Sequence, residues 1–310
     1  MIRKRTRRAV KAAFCISFGV ALILGGLAAG AMSATAAQPT VKLGTKNFTE
    51  EFILGQLYKQ ALEAKGYKVE YHENIGSTEV VDKAMTSGQL NVYPEYLGTL
   101  LSVVFHKTSV PKNPATALAQ AKALDGKRGF TLFTPTPFFD TDQLGVLNAT
   151  AKKYKLRSAG DIKRIPGLSI CGFPEFQTRY AGLVGLKQEY GVKKATFIPL
   201  AGISVYQVLD TKKCIVGDVF STDPQLAAPS KYTVLTDPKE IFSERSQTVV
   251  PEVSTKLASA LGAKFRQTLN AVSAKLTLPA MIAMNKAVAI DKKSPQAVAA
   301  AFLKANGLLK

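Results

Sequence analysis

The chain has 310 residues, of which 46% are hydrophobic, and its formal net charge is +19. This length can bury a sizeable core and favours two domains. The lysines are scattered over predicted helix ends and turns instead of lying on one face among aromatic residues, which argues against nucleic-acid binding and favours a solvated surface near anionic lipid or cell wall.

The N-terminus has the pattern of a signal peptide, predicted to span residues 1–36. Six basic residues lie within the first eleven positions, an apolar run covers residues 12–31, and small residues precede a cleavage site near Ala36 or Ala37. We therefore expect an exported protein, whose formal charge of +19 falls to +13 when the six basic residues are removed. An uncleaved membrane anchor is the alternative, and residues 6–8 hint at a twin-arginine signal.

Two cysteines remain after removal of this segment. Cys171 is predicted near the end of one strand and Cys214 at the start of another. In parallel strands, at about 3.3 Å per residue, that stagger is too long for a disulfide bond. We therefore expect two buried thiols, with a disulfide as the alternative.

Strands and helices alternate along the first third of the chain. Strands are predicted at residues 41–45, 67–73 and 91–93, the last ending before Pro94 because proline fixes its own φ and lacks a donor. Helices with apolar residues at helical spacing follow each strand, ending at Gly66, Gly88 and Phe105. This order predicts right-handed βαβ units and a largely parallel sheet.

Three polar strand-to-helix turns, at residues 47–51, 76–79 and 93–99, should meet at the carboxyl edge of that sheet and face one crevice. Free amides at helix starts suit an anionic group, and the faces of Tyr93 and Tyr96 suit a cation. A zwitterion with a bulky cationic head satisfies both. The alternatives are that Ser77 and Thr78 only cap a helix and that the two tyrosines belong to the core or its rim.

Several motifs in one order resemble a known family. They are KNFTEE with the following ILG (46–55), GSTE (76–79), YPEYLGT (93–99), PEFQTRYAGLVGL (174–186), VFSTDP (219–224), VLTDPK (234–239), and LNAVSAKLT with the later MNKAV (269–288). The chain is similar over nearly all of its predicted mature length to the substrate-binding proteins of ABC importers for glycine betaine, choline and related osmoprotectants.

The resemblance implies an α/β fold of the periplasmic-binding-protein type II, with two lobes that close around a ligand. Each lobe would be a mostly parallel sheet flanked by helices, and two crossing strands would join the lobes. The first lobe would comprise residues 37–142 and 238–310, and the second residues 143–237.

The resemblance also implies a ligand site with an aromatic cage for a quaternary ammonium group. Tyr93 or Tyr96 together with Tyr206 would supply the rings, and Ser77, Thr78 and Thr99 would contact the other end of the ligand. Thr222 and Asp223 either cap the next segment or line the cleft. A structural ion pair is expected between Arg179 and Glu175.

Three positions depart from the pattern of the family. Glu51 and Asp142, if both face the cleft, would favour a cation that donates hydrogen bonds, and Arg245 could bind a carboxylate. An amino-acid-like solute is therefore the alternative to a quaternary ammonium ligand.

We expect reversible capture of a small solute outside the membrane and its delivery to an ABC permease with its ATPase subunits. The protein should be a monomer and need no cofactor. A secreted hydrolase is the remote alternative, but His72 and His106 are the only histidines, and the sequence contains no GxSxG or HExxH motif. An adhesive surface protein would have repeats or low-complexity linkers, and the chain has neither.

Overall fold

Two five-stranded sheets form the framework of the chain in its computed structural model, which describes residues 38–200, 202–227, 229–242 and 246–309. The predicted signal peptide lies outside these residues. In chain order the strands are β1 (Val41–Lys46), β2 (Val69–Gly76), β3 (Val92–Tyr96), β4 (Phe130–Leu132), β5 (Asp142–Leu147), β6 (Ser169–Gly172), β7 (Thr196–Pro199), β8 (Val216–Phe220), β9 (Tyr232–Leu235) and β10 (Val249–Ser254).

The helices pack on the faces of these sheets. They are α1 (Thr49–Glu63), α2 (Thr78–Thr86), α3 (Leu97–Thr99), α4 (Pro114–Gly126), α5 (Asn148–Tyr154), α6 (Gly185–Tyr190), α7 (Val205–Asp210), α8 (Thr255–Ser273), α9 (Leu278–Ala289) and α10 (Pro295–Ala305). Among the residues that the structure describes, no helix has both the length and the apolar character needed to cross a bilayer.

Each sheet contains one strand that runs against the others. The first sheet has the order β2-β1-β3-β10-β4, and β10 is antiparallel to both of its neighbours. The second has the order β7-β6-β8-β5-β9, and β5 is antiparallel to both of its neighbours. The remaining four strands of each sheet are therefore parallel, which confirms the predicted mostly parallel α/β lobes.

Two segments cross between the sheets. The backbone N–H of Asp140 donates to the carbonyl of Gln247 at 3.0 Å, and Phe139 and Thr248 form an antiparallel bridge. We call the half built on the first sheet lobe I and the half built on the second sheet lobe II. Strands of lobe II fall between residues 142 and 235, while the exact lobe limits near residues 142 and 237 stay a prediction.

Separate apolar cores hold the two lobes. The core of lobe I packs α1, α8, α9 and α10 against the first sheet, with fully buried residues such as Leu54, Phe265 and Leu303. Lobe II has one cluster that includes Leu144, Ile170 and Leu186, and a second around the two cysteines. Each large apolar side chain buried in this way contributes about 1.5–3 kcal/mol.

Strand β3 does not end before Pro94, contrary to the sequence-based expectation. It continues to Tyr96, and Pro94 lies opposite Pro251 of β10 in the antiparallel register. Because neither proline has an N–H group, the two share a position at which the ladder exchanges no hydrogen bonds. The predicted helix after this strand is present as α3 followed by a wider π-helical segment at Leu100–Val104.

The expectation of two free thiols is wrong, because Cys171 and Cys214 form a disulfide bond. Cys171 lies opposite Gly217 in the parallel ladder, whereas Cys214 precedes β8 and lies in the turn after α7. The chain bends there, so the two Cα atoms are only 6.0 Å apart. The stagger argument assumed that Cys214 already belonged to an extended strand.

Candidate ligand-binding cleft

A cleft between the two lobes encloses about 620 Å³ of space, including its open mouth. Both lobes contribute to its walls, which are formed by Lys46, Asn47, Phe48, Thr78, Tyr96, Thr99, Asp140, Asp142, Phe173, Glu175, Phe176, Arg179, Ala181, Asp218, Phe220 and Gln247.

Three aromatic rings from both lobes converge on the ring of Phe48, which immediately precedes α1. The Phe48 ring is stacked with that of Phe220 at a centroid distance of 6.2 Å. Phe173 lies 6.3 Å from Phe48 and 6.1 Å from Phe220, and Tyr96 lies 5.9 Å from Phe48. Such a group of rings presents apolar edges and electron-rich faces to the cleft, a surface suited to a bulky cation.

The lobe I wall is held by ion pairs and hydrogen bonds of its own. The ammonium group of Lys46 lies 4.6 Å from the centroid of the Tyr96 ring and pairs with the buried carboxylate of Glu95. The hydroxyl of Tyr96 donates to Glu50 at 2.8 Å, and the side-chain amide of Asn285 donates to the same carboxylate at 2.8 Å. Burial raises the pKa of Glu50, although these hydrogen bonds oppose the shift.

The lobe II wall carries a group of carboxyl side chains. Asp142 lies opposite Phe220, and Asp218 lies opposite Leu144 in the antiparallel ladder of β5 and β8. The side chains of Asp142 and Asp218 are therefore diagonal neighbours on one face of the sheet. Burial raises the pKa of both groups, and the pKa of Asp218 is raised further by the neighbouring Asp142.

Asp140 of the crossing segment completes this acidic side of the cleft. Its carboxylate accepts hydrogen bonds from the backbone N–H of Thr222 and the hydroxyl of Ser221, both at 3.1 Å. Burial raises the pKa of Asp140 well above its usual range, and repulsion from Glu50 adds to this effect.

An ion pair joins the two lobes at the cleft. The guanidinium of Arg179 donates to both carboxylate oxygens of Glu79, at 3.0 and 3.4 Å. Burial acts to raise the pKa of Glu79, but hydrogen bonds from Ser77 and Arg179 outweigh it and lower the pKa to about 2. The predicted pair of Arg179 with Glu175 is therefore replaced by a contact between lobes, since residues 174–177 form a 3₁₀ turn and not an α-helix with i,i+4 neighbours.

Four of the predicted site residues line the cleft: Thr78, Tyr96, Thr99 and Asp142. Both the backbone N–H and the hydroxyl of Thr99 donate to the side-chain oxygen of Gln247, at 3.1 and 3.2 Å. These four residues come from two of the predicted turns and from the start of β5, and Asn47 and Phe48 of the third predicted turn also line the cleft, so all three turns face it as predicted. Contact of these residues with a ligand stays a prediction.

Three other predicted residues of lobe I lie away from the cleft. Tyr93 is fully buried in a separate apolar cluster, because the strand continues and residues 93 and 96 point to opposite faces. Glu51 points inward and accepts the backbone N–H of Lys46 at 3.0 Å, and burial raises its pKa to about 8. The hydroxyl of Ser77 donates to Glu79 at 2.6 Å and does not contribute to the cleft wall.

In lobe II, the residues predicted around the end of β8 support the cleft from behind. Tyr206 faces the core, packs edge-on against Tyr232 and donates to Asp223 at 2.8 Å. Asp223 also accepts the backbone N–H of Phe220 at 2.8 Å, and its burial raises its pKa to about 6. Thr222 is buried, and its backbone bonds Asp140 and Asn285. Arg245 lies outside the described residues.

The sequence-based reasoning missed the phenylalanines and two acids of the site, Asp140 and Asp218. Phe48 lies two residues after the end of β1, and Phe220 is the last residue of β8. Both lie inside motifs that carry the resemblance to the family, so their position at the carboxyl ends of strands could have indicated a role in the site. Asp218 lies two residues before Phe220 on the same strand face. Within the described ranges, no three His, Cys, Asp or Glu side chains are grouped so as to hold a metal ion.

Comparisons with known proteins agree with this geometry. Residues 39–305 match a family model described as the substrate binding domain of ABC-type glycine betaine transport system. The chain is 30% identical to a glycine-betaine-binding protein of Pseudomonas aeruginosa, over 91% of this chain and 93% of that protein. It is 29% identical to the glycine betaine-binding protein YehZ of Escherichia coli, over 92% of this chain and 96% of that protein.

Solved structures show the same relationship. A crystal structure of a glycine betaine/carnitine/choline ABC transporter protein is similar with a TM-score of 0.67 and 26% identity, covering 87% of this chain and 100% of that one. Lactococcal OpuAC, crystallised closed around glycine betaine, has a TM-score of 0.62 at 15% identity, over 87% of this chain and 97% of that one, and supports the fold alone.

Proposed function

The chain belongs to the family of substrate-binding domains of ABC-type glycine betaine transport systems, and from this premise we propose that it captures glycine betaine, choline or a related quaternary ammonium osmoprotectant. The family consists of transporter components and not of enzymes, so the hydrolase alternative is not supported.

One observation carries the proposal, namely the convergence of Phe48, Tyr96, Phe173 and Phe220 on one cleft. A quaternary ammonium group donates no ordinary hydrogen bonds, so a protein recognises it through ring faces and negative charge. Each ring in such a cage contributes about 0.5–2 kcal/mol. The acids of lobe II add a negative field that favours a cation over a neutral solute.

Capture would work through closure of the lobes. Phe48 and Tyr96 belong to lobe I, whereas Phe173 and Phe220 belong to lobe II, so a ligand touches the complete cage only when the lobes are together. A ligand that contacts both walls stabilises the closed arrangement relative to the open one. The closed form would then be read by the membrane permease, which is driven by its ATPase subunits.

The remaining features of the proposal concern the setting of the protein. It would be exported to the periplasm or the outer face of the cytoplasmic membrane, act as a monomer and need no cofactor or nucleic acid. The disulfide bond between Cys171 and Cys214 suits an oxidising compartment outside the cytoplasm.

The alternative of an amino-acid-like solute loses part of its basis. It required both Glu51 and Asp142 to face the ligand, but Glu51 bonds the backbone of Lys46 inside lobe I. Ring faces, in contrast, come from both lobes. A quaternary ammonium group therefore fits the cleft better than a primary amine does.

Titration calorimetry of the purified protein tests the proposal. The panel contains glycine betaine, choline, carnitine, proline betaine and the basic amino acids. We expect saturable heat with at least one quaternary ammonium compound, and Phe220→Ala should weaken that binding. Binding of a basic amino acid alone, or of no member of the panel, would overturn the proposed function.

A further inference from the structure

We propose that the carboxyl pair of Asp142 and Asp218 selects quaternary ammonium ligands that carry a hydroxyl group over those that carry a carboxylate. This inference rests on the proposed function and names the ligand subclass for the same cleft. It concerns the polar end of the ligand, which the aromatic rings do not bind.

The first observation is an unmet acceptor on the lobe II wall. Asp218 is only 3% exposed and lines the cleft, and no N–H or O–H group of another described residue donates to its Oδ1 atom, apart from a proton shared with Asp142. Leaving a buried acceptor without a donor is costly. A ligand hydroxyl in the cleft would supply the missing donor.

The pair has room for only one proton between its members. Burial raises the pKa of both carboxyl groups, and the neighbouring Asp142 raises that of Asp218 further, so the two groups share one proton. The other oxygens can therefore only accept hydrogen bonds. A ligand hydroxyl can donate to them, while a ligand carboxylate has no proton to offer and is repelled by the negative charge of the pair.

The second observation comes from the opposite wall. Thr78 of lobe I lines the cleft, is 1% exposed, and its hydroxyl has no partner among the described residues. A ligand hydroxyl can donate to a carboxyl and accept from a threonine at the same time. The carboxyl pair of lobe II and the Thr78 hydroxyl of lobe I are thus suited to hydrogen-bond a ligand hydroxyl group.

The cations of the cleft provide the third observation. Lys46 is paired with Glu95, and Arg179 is paired with Glu79, so both described cations that line the cleft already have protein carboxylates as partners. A ligand carboxylate would have to compete for them. Neither Asp142 nor Asp218 forms an ion pair with a described cation. The charge of Arg179 acts to lower the pKa of Asp142, but its guanidinium is held by Glu79, so the carboxyl pair can still bind a ligand group.

The local backbone is built to admit Asp218. A Cβ atom at Gly172 would lie 2.6 Å from the Cβ of Asp218 and 2.9 Å from its Oδ2. Only glycine at position 172 leaves this space, because real Cβ atoms do not approach that closely. The neighbouring strand therefore leaves room for the side chain of Asp218.

Titration calorimetry with three probes tests the inference on the purified protein. Choline carries the hydroxyl, its O-methyl ether keeps the charge but lacks the O–H donor, and glycine betaine replaces the hydroxyl by a carboxylate. We expect choline to bind at least about tenfold more tightly than either of the others, in line with the cost of an unpaired buried acceptor.

Two variants separate selection from simple support of the fold. Asp218→Ala should reduce the preference for choline over its ether to less than about threefold. The double variant Asp142→Asn with Asp218→Asn, which keeps oxygen acceptors but removes the charge of the pair, should retain that preference and bind glycine betaine more tightly. A matched ring variant, Phe220→Ala, should weaken all three probes by a similar factor.

The outcomes distinguish this inference from the proposed function. If glycine betaine binds as tightly as choline, or if Asp218→Ala weakens all probes equally, the hydroxyl-selecting role is wrong while quaternary ammonium capture stands. If no probe binds to the unmodified protein, the hydroxyl-selecting role is wrong, and the proposed function fails as well only if carnitine and proline betaine do not bind either. The ranking in the unmodified protein decides the matter even if a variant does not fold.

Discussion

The two walls of the cleft are supported by different interactions. In lobe I, Lys46 and Tyr96 are fixed by Glu95 and Glu50, buried carboxylates that accept their hydrogen bonds. In lobe II, Phe173 and Asp218 follow or lie on short strands that a disulfide ties together at Cys171.

This difference indicates which groups of each wall are available to bind a ligand. The polar groups of lobe I are mostly satisfied by one another, so what they offer to the cleft is chiefly ring surface and shape. The carboxyl pair of lobe II has few donors within the protein, so it keeps binding capacity for a solute. Preorganisation and specificity are thus divided between the lobes.

The largest effect should come from cutting the covalent support of lobe II. The double variant Cys171→Ser with Cys214→Ser should lose about 4 kcal/mol of unfolding free energy, the chain-entropy estimate for a loop closed by a separation of 43 residues. Denaturant unfolding measures this change. The unmodified protein treated with reductant is the control, and an unchanged midpoint in both samples would show that hydrogen bonds alone hold this wall.

A pair of ring substitutions in lobe I sharpens the distinction between cleft and core. Phe48→Leu should weaken the affinity for a quaternary ammonium ligand about tenfold, since it removes a cation–π face but keeps apolar bulk. Tyr93→Leu should leave that affinity nearly unchanged and lower the free energy of unfolding by about 2 kcal/mol, because the hydrogen bond of Tyr93 to buried Glu95 is lost. Calorimetry and denaturant unfolding of both variants give the two quantities, and equal loss of affinity in both would place Tyr93 in the site after all.

The network behind the lobe I wall should respond to pH. Glu252 is fully buried opposite Tyr93, neither of its oxygens has a partner among the described residues, and burial raises its pKa well above the usual value of 4.5. The folded state therefore holds a proton that the unfolded state releases, so this group makes the protein less stable as the pH rises above about 4.5.

Glu252→Gln should remove that dependence. We expect a gain of about 1–2 kcal/mol in unfolding free energy at pH 8 and little change at pH 4, because glutamine stays neutral at both values. Denaturant unfolding at the two pH values measures it. A variant that is destabilised more at pH 8 than at pH 4 would mean that Glu252 is ionised and paired in the folded protein.

The smallest effect should come from the ion pair between the lobes. Glu79→Gln should weaken ligand affinity by less than about fivefold, because exposed pairs contribute about 0.2–1 kcal/mol. The pKa of Glu79 is lowered to about 2, so the contribution of this pair should be constant between pH 5 and 8 and should fall with added salt. Affinity that varies with pH in this range through Glu79 would contradict the assignment.

The sequence was sufficient to predict the architecture. Alternating strand and helix patterns, with polar turns between them, predicted the mostly parallel sheet of lobe I and the crevice at its carboxyl edge, whereas lobe II was predicted from the resemblance to the family. The reversal of β5 and β10 within their sheets was not visible, because strand direction depends on pairing partners far along the chain.

Side-chain roles were harder to predict than elements. Tyr93 and Tyr206 were expected as cage rings from the resemblance to the family, but they donate to the carboxylates of Glu95 and Asp223 and face the cores. The phenylalanines that line the cleft have no hydroxyl to satisfy and can present their faces. The Pro94 and Pro251 register that extends β3 decided which face Tyr93 takes, and residues 157 positions apart in the chain cannot reveal that pairing locally.

The central claim is that rings of both lobes enclose a quaternary ammonium group. A crystal structure of the protein with choline tests it most directly. We predict the choline nitrogen within about 6 Å of the ring centroids of Phe48, Phe173 and Phe220. A choline molecule bound elsewhere, or with its nitrogen turned away from these three rings, would contradict the account.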